Sequence, residues 1–413
     1  MKVLQSKAGL AALFLGLFVA GGAFAASTLD SSSGESDESS VDVRPNTETT
    51  TTTTTSTTTT TTTTTVPPPR TATIAFTGDL LPHGPVVNAA DANTLDGWDF
   101  RPMFDEVRPI LSAADLAICH LESPVSATDS NLSGYPVFNA PRALVEAAVD
   151  AGYDGCSTAS NHAFDRRVNG VEETVQVFAD LGFPQAGMAL DEDHDLAPVL
   201  YEVNGITIAH LSATYSLNGF VLPSDQPYLV DLIEPETIVA EAGLARAAGA
   251  EFVVVSLHWG NEYQHTPSSA QDQWLSEILP SDEVDLIIGH HAHVVQPIDK
   301  VDDEWVVFGL GNFLSNQSVN CCVTASQDGM IATVTLLERA DESIAVSGIA
   351  YTPTWVDRSN GYVIRVANAT EPGRPEIADT LAASAARTDE IVRGRLSDAD
   401  GLTVAPPLGP DDE

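Results

Sequence analysis

Lysine is almost missing from this chain: it stands only at Lys2, Lys7 and Lys300. Lys and Arg together number 18 against 58 Asp and Glu, giving a formal net charge of −40. No basic patch or basic amphipathic run exists, which excludes nucleic acid as a partner, because phosphate backbones are bound by clustered positive charge. Cysteine is scarce too, at Cys119, Cys156, Cys321 and Cys322, and none has a zinc-finger or catalytic spacing. Cys119 and Cys156 fall in two strands that can be neighbours and can pair; Cys321 and Cys322 form either a vicinal bond or a free pair. Self-repulsion at this charge keeps a protein soluble and suits saline surroundings.

What is present divides the 413 residues into four parts. Lys2 and Lys7 precede an apolar run from Ala8 that closes on Ala23-Phe24-Ala25, a small-x-small cleavage pattern. Residues 1–26 are therefore expected to be a signal peptide, or an anchor in the membrane if uncleaved. The protein is accordingly expected to be exported, either extracellular or attached to the cell envelope. Residues 27–70 are dominated by threonine and close on Pro67-Pro68-Pro69. Lacking apolar surface to offset ordering entropy, they are expected to form a disordered stalk. Residues 71–371 carry the strand and helix patterns of a folded domain. Residues 372–413, rich in Ala, Asp and Pro, are expected to be a loosely attached tail with one short helix between Glu376 and Arg395.

Inside the folded segment, short apolar runs end in polar residues, and helical spacings separate them. Thr73–Phe76 ends at Gly78-Asp79, Leu116–Cys119 at His120-Leu121-Glu122, and a third strand at Asn161-His162. Phe252–Leu257 ends at His258, Asp285–Gly289 at His290-His291-Ala292-His293, and Val306–Phe308 at Gly309–Phe313. Asn204-Gly205 between alternating runs predicts a hairpin over residues 201–213. Thr266 and Pro267 are expected to open a helix that packs Trp274, Leu275, Ile278 and Leu279. Three later runs, 331–337, 344–351 and 361–366, are expected to be antiparallel strands. Strands alternating with helices indicate a layered α/β or α/β/β fold.

Ligands bind such sheets at the carboxyl ends of their strands. A lone strand-end Asp is usually a turn former, and a lone buried His usually a satisfied core group. Here five strand ends each deliver a potential metal ligand: Asp79, Glu122, Asn161 with His162, His258, and His291 with His293. Carboxylates, an amide oxygen and imidazoles together suit Mn, Fe or Zn better than Ca, which takes oxygen only. Two such ions can polarise a substrate oxygen and activate water.

Several strings make the resemblance specific: Phe76-Thr77-Gly78-Asp79, Leu121-Glu122, Ala159–Asp165, His258–Tyr263, His291–Pro297 and Gly311-Asn312-Phe313. In this order, over residues 73–317, the chain resembles the CapA family of capsule-synthesis proteins linked to poly-γ-glutamate. The resemblance implies a metallo-dependent phosphatase-like α/β/β/α sandwich and two divalent metal ions. By likeness to calcineurin-type phosphoesterases, Asp79 and His293 would hold one metal, with Glu122 between the two. Asn161, His258 and His291 would hold the other, and His162, oriented by Asp165, would act just outside as acid or transition-state stabiliser. The chain departs from the pattern at Leu81, where a His is usual; His83 is the nearest substitute. It departs again at His120, which replaces Asn, and at Arg166-Arg167, which replace Tyr-Gly.

Arg166 and Arg167 either receive an anionic substrate or pair with surface acids. Glu262 and Tyr263 either line the site or stabilise the loop after His258. Three functions follow. The first is capsule or exopolymer biosynthesis through a metal-dependent hydrolase-like domain, with an anionic polymer or its synthesis and export machinery as partner. The second is a secreted metallophosphoesterase, and the third a non-catalytic scaffold of a polymer-export complex.

Overall fold

Strands buried on both faces, in each of two sheets, determine the layering of the computed structural model, which describes residues 67–369, 375–396 and 400–406. The expected signal peptide and nearly all of the expected stalk lie outside the described residues. The first half runs β1 (Thr71–Leu80), α1 (Gly84–Ala92), α2 (Arg108–Ala113), β2 (Leu116–Leu121), β3 (Val125–Ser126), β4 (Ala140–Pro141), α3 (Ala143–Ala151), β5 (Gly155–Ser157), α4 (Arg167–Leu181) and β6 (Gln185–Ala186). The middle comprises α5 (Glu192–Asp195), β7 (Val199–Val203), β8 (Ile206–Thr214), α6 (Pro235–Ala247), β9 (Phe252–His258), α7 (Ser269–Ile278) and β10 (Leu286–His290). The chain then forms β11 (Ile298–Val301), β12 (Glu304–Val307), β13 (Asn312–Leu314), β14 (Asp328–Glu338), β15 (Ile344–Asp357), β16 (Val363–Val366), α8 (Ala378–Val392) and β17 (Leu402–Val404).

One sheet has the order β16-β15-β14-β1-β2-β5-β6, with β13 also on β1 and β17 on β15; the other has the order β11-β12-β10-β9-β8-β7. Ile74 and Phe76 of β1 pack with Phe252 and Val254 of β9 and Ile288 of β10 in one buried cluster, which is the seam between the sheets. Ala75 faces the other way, into a cluster with Leu144 of α3 and Phe178 of α4. Val253, Val255 and Ile287 likewise face Ile238 of α6 and Leu275 of α7. Helices therefore cover the outer face of each sheet, and the layers run α/β/β/α, as expected for apolar strands buried on both faces.

The strands β1, β2, β5 and β6 are parallel to one another, as are β8, β9, β10 and β12. Their carboxyl ends gather on one edge of the sandwich. At that edge β1 passes very close to the loop before β13: a Cβ on Gly78 would sit 2.0 Å from the Gly311 carbonyl oxygen. Glycine alone fits there, and the approach lets the Asp79 amide donate to Gly311 O at 2.9 Å.

Two expectations are corrected. The helix after His258 is capped not by Thr266 but by Ser268, whose hydroxyl accepts from the Gln271 amide while the Gln271 side chain accepts from the Ser268 amide. That reciprocal capping box satisfies two donors at once, which Thr266 does not. The described part of the expected loose tail is docked. The expected helix is α8, and Leu381, Val392 and Leu402 are 3% exposed or less. Ser384 and Arg387 hydrogen-bond the carboxylate of Asp328, and β17 pairs with β15. Cys119 and Cys156 are register partners on β2 and β5 and are joined, as are Cys321 and Cys322. Among the described residues no helix is long and apolar enough to cross a membrane.

Candidate metal centre

Asp79, Glu122, Asn161, His258, His291 and His293 converge at the gathered strand ends and are all buried, none more than 3% exposed. Asp79 Oδ2 lies 3.1 Å from His293 Nδ1, and Asp79 Oδ1 lies 3.4 Å from His290 Nδ1. Glu122 Oε1 lies 3.6 Å from His293 Nε2 and 3.9 Å from His258 Nε2. The rings of His258 and His291 are 4.7 Å apart. His291 and His293 both hold positive φ, 81° and 54°, which side chains other than glycine seldom adopt and which concentrates at functional sites.

The proton positions can be followed from the outside in, with both histidines neutral. The Ser157 hydroxyl donates to Cys119 O at 3.3 Å, so it accepts from His120 Nδ1 at 2.8 Å. His120 Nε2 is then an acceptor and takes the proton of His258 Nδ1 at 2.9 Å. Burial holds both rings well below the usual imidazole range, assisted by the charge of neighbouring histidines, so both are neutral near pH 7. His258 Nε2 is left with a lone pair, yet its neighbours are Asn161 Oδ1 at 3.1 Å and the Glu122 carboxylate. Once the Glu122 carboxyl is ionised, three acceptors face one another without a donor and need a cation between them.

The same logic holds on the other side. Asn312 Nδ2 donates to Ser326 O at 2.8 Å, so its Oδ1 accepts from His293 Nδ1 at 3.0 Å and turns Nε2 of that ring toward Glu122. Both Glu122 oxygens and His291 Nδ1 are buried without a hydrogen-bond partner. Orphaned buried groups of this kind are costly in a native protein unless something fills them. The residues therefore fit a divalent metal.

Electrostatics agree. Burial pushes the Glu122 carboxyl well above the carboxylate range, against the pull of His293, and Asp79 adds repulsion. Burial would also raise Asp79, but hydrogen bonds from His290 and His293 outweigh it and hold that carboxyl well below its usual value. Burial lowers His293, yet the charges of Glu122 and Asp79 carry it up to about 9. Burial, then His293, takes His291 down to about 3. His120, His258 and His291 are thus neutral imidazoles beside the two acids, while His293 carries the positive charge that a bound cation would displace.

The potential ligands sort into two groups: Asp79 with His120 and His258, and Glu122 with His291 and His293. This differs from the sorting implied by the resemblance, in which Asp79 accompanied His293. His120, taken from the sequence only as a departure, and His290, whose ring stacks on His120 at 3.9 Å, belong to the cluster. Asn312 also escaped assignment, although it lies inside the quoted Gly-Asn-Phe string. Leu81 is buried and offers no ligand: its amide donates to Leu314 O at 2.8 Å and its carbonyl accepts the His83 amide at 2.9 Å. His83 Nδ1 lies 3.1 Å from the same carbonyl, and burial lowers this ring to about 4.

A cleft of about 680 Å³ opens on the cluster, lined by Leu81, His83, Phe138, His162, Glu262, Tyr263, His293 and the joined Cys321 and Cys322. His162 is 8% exposed. Its Nδ1 bonds Asp165 Oδ2 at 2.8 Å, and that oxygen also accepts the Phe138 amide at 2.7 Å. The ring lies edge-on to Phe138 at 4.7 Å, and the Asn218 amide nitrogen approaches it at 3.3 Å. Glu262 and Tyr263 thus line the cleft, and Tyr263 also ties the loop by donating its amide to Ala292 O at 2.7 Å. Arg166 and Arg167 do not line it: Arg166 precedes α4, and the Arg167 guanidinium lies 3.3 Å over the Phe220 ring.

The family model described as "Bacterial capsule synthesis protein PGA_cap" matches residues 73–317. The chain belongs to this family. It is 28% identical over 247 residues to the PGA biosynthesis protein CapA of Bacillus subtilis, covering 59% of this chain and 63% of that relative. It is 29% identical over 236 residues to the capsule biosynthesis protein CapA of Bacillus anthracis, covering 54% and 55%. The match thus spans less than two thirds of either relative's length. Among solved structures, the calcineurin-like phosphoesterase YfkN of Bacillus subtilis superposes at TM-score 0.41 with 16% identity, covering 79% of this chain and all 100% of that one. The NAD nucleotidase of Haemophilus influenzae superposes at TM-score 0.43 with 11% identity, covering 83% and 65%. Superpositions this loose carry no functional argument, and the layered description rests on the sheets themselves.

Proposed function

We propose that this protein serves capsule or exopolymer biosynthesis, of the poly-γ-glutamate type, through a metal-dependent, hydrolase-like centre. The observation that carries the reading is the donor-free meeting of His258 Nε2, Asn161 Oδ1 and Glu122 beneath the cleft. Asp79, Glu122, Asn161, His258, His291 and His293 would hold two divalent ions of the Mn, Fe or Zn class, with His120 orienting His258. Bound there, such ions would polarise a substrate oxygen and lower the pKa of an attacking water. His162, held by Asp165 at the cleft wall, is placed to give a proton to a leaving group. Asp165 fixes which ring nitrogen faces the cleft.

Among the described residues no Arg or Lys lines the cleft, so recognition of an anionic substrate falls to the metal centre and His162 rather than to Arg166 or Arg167. The polymer, or the machinery that makes and exports it, is the proposed partner. An exported, envelope-attached location, with the N-terminal segment as possible anchor, is part of the same reading.

The test pairs chemistry with physiology. Elemental analysis of the purified chain should find bound transition metal, with His291→Ala and Glu122→Gln depleted of it. A strain lacking the chain should lose surface polymer, and the wild type but not Glu122→Gln should restore it. Full metal occupancy in His291→Ala would overturn the centre. Restoration by Glu122→Gln would leave the centre without a part in polymer synthesis. Turnover of simple phosphate esters with unchanged polymer yield would favour a phosphoesterase instead.

A further inference from the structure

Away from the strand ends, a second group of acids meets between α5, the segment after β8, and α6. Asp195, Asp231 and Glu241 each place a carboxylate oxygen within 4.8 Å of the others. The backbone of Asp231 is fixed from both sides: its amide donates to Gly187 O at 3.2 Å and its carbonyl accepts the Thr214 amide at 2.9 Å. The three acids stand where two cavities adjoin, one of about 350 Å³ beside β6 and β8 and one of about 620 Å³ under the loop after β8.

An independent observation points to a ligand in the first cavity. His210 and Ser212, two residues apart on one face of β8, line it and are 1% and 4% exposed. His210 Nδ1 and Ser212 Oγ are buried there without a hydrogen-bond partner, although His210 Nε2 lies 2.9 Å from Ser256 Oγ. No Arg or Lys ion pair reaches the three acids among the described residues. Burial raises all three carboxyls; repulsion from Glu241 and Asp195 adds to it at Asp231, and repulsion from Asp195 helps carry Glu241 to about 7. Asp195 and Asp231 hydrogen-bond each other, which requires a proton on one of them. A cation would replace that proton and relieve the repulsion.

We infer that Asp195, Asp231 and Glu241 form a second cation site, separate from the strand-end centre, that takes a hard divalent ion of the calcium type. The donors facing the ion are carboxylate oxygens on three separate segments, a flexible oxygen set that favours Ca²⁺ over the rigid octahedron of Mg²⁺. Water carried with the ion would reach His210 Nδ1 and Ser212 Oγ. Because α5, the Asp231 segment and α6 belong to different stretches of chain, the bound ion ties them together and stabilises the fold by mass action. This inference stands apart from the proposed function, since none of its residues belongs to the strand-end centre.

The test is calcium binding to the full chain, followed by equilibrium dialysis and thermal unfolding at pH 7. The wild type should hold one more calcium per chain than Glu241→Gln or Asp231→Asn, and calcium should raise its Tm but not theirs. Glu122→Gln should keep that calcium while losing transition metal, which separates failure here from failure of the strand-end centre. If Asp231→Asn does not fold, Asp195→Asn on the short, exposed α5 decides instead. Equal calcium stoichiometry and equal Tm response in wild type and variants would overturn the site. Calcium-insensitive Tm in the wild type would show that a shared proton, not a cation, joins the carboxyls, and would overturn it equally.

Discussion

His258 Nε2 and Asn161 Oδ1 face each other at 3.1 Å with no proton between them, because the chain Cys119 O, Ser157, His120 and His258 Nδ1 has used every donor on the far side. His120 is thus a positioning residue for His258. Replacing it with Phe keeps a ring to stack on His290 but removes the acceptor that fixes the His258 tautomer. Metal affinity of the purified His120→Phe protein should fall by roughly 10–100-fold, the usual effect of losing an outer partner of a ligand. Unchanged affinity, measured by competition with a chelator, would release His120 from this role.

Removing the strand-end metals should cost stability as well as activity. The buried, orphaned oxygens of Glu122 would face Asp79 uncompensated. Dialysis against a chelator should lower Tm, and adding Mn²⁺ should restore it in the wild type but not in Glu122→Gln. A Tm indifferent to chelation would mean that the carboxyl is simply protonated there.

His162 should separate from the ligands. It stands at the cleft wall, and its partners are Asp165, Phe138 and Asn218 rather than the clustered acids. Replacing His162 by Ala should leave metal content intact while hydrolysis of the proper substrate falls about 10²–10⁴-fold, as for a lost general acid. Loss of metal in the same variant would place His162 among the ligands instead.

Much of this centre was legible because strand-end chemistry repeats. Each of β1, β2, β9 and β10 carries a short, mostly apolar run, and its last residues are polar for a reason other than solubility. The α/β/β/α layering followed from the same runs. What the sequence could not supply was contact across the sandwich. Nothing in the spacing brings His120 to His258, 138 positions away, or sets Asn312 behind His293. Arg166 and Arg167 looked suited to an anion because they adjoin Asp165. The turn into α4 sends Arg167 over Phe220 instead, with φ at 58°. Asp195, Asp231 and Glu241 gave no signal at all, since acids are everywhere in a chain of this charge and only the fold brings these three together.

The joined Cys119 and Cys156 should matter to stability and not to metal. They tie β2 to β5 across 37 positions, and both belong to the apolar cluster with Leu144 and Phe178 on the helix-covered face. Replacing both by Ala should destabilise by about 3–4 kcal/mol, on the loop-entropy account of a bridge of this span. Metal content should be unchanged. A folded double variant without metal would show that the bridge shapes the site.

The docked C-terminal segment should be part of the folding unit. Deleting residues 372–413 exposes the surface of β14 and β15 that Leu381, Val392 and Leu402 cover. It also strips Asp328, 2% exposed at the start of β14, of its bonds from Ser384 and Arg387. Burying one large aliphatic side chain is worth about 1.5–3 kcal/mol, so losing three approaches the whole stability of an ordinary domain. Arg387→Ala isolates the polar part: Arg387 is a third exposed, 35% at its side chain, so solvent screens the pair and the cost should stay near 1 kcal/mol. Urea unfolding of both proteins distinguishes the two contributions. The truncated chain should be unfolded or strongly destabilised, with Arg387→Ala only slightly weakened. A truncated protein as stable as the full chain would restore the boundary at residue 371 that the composition suggested.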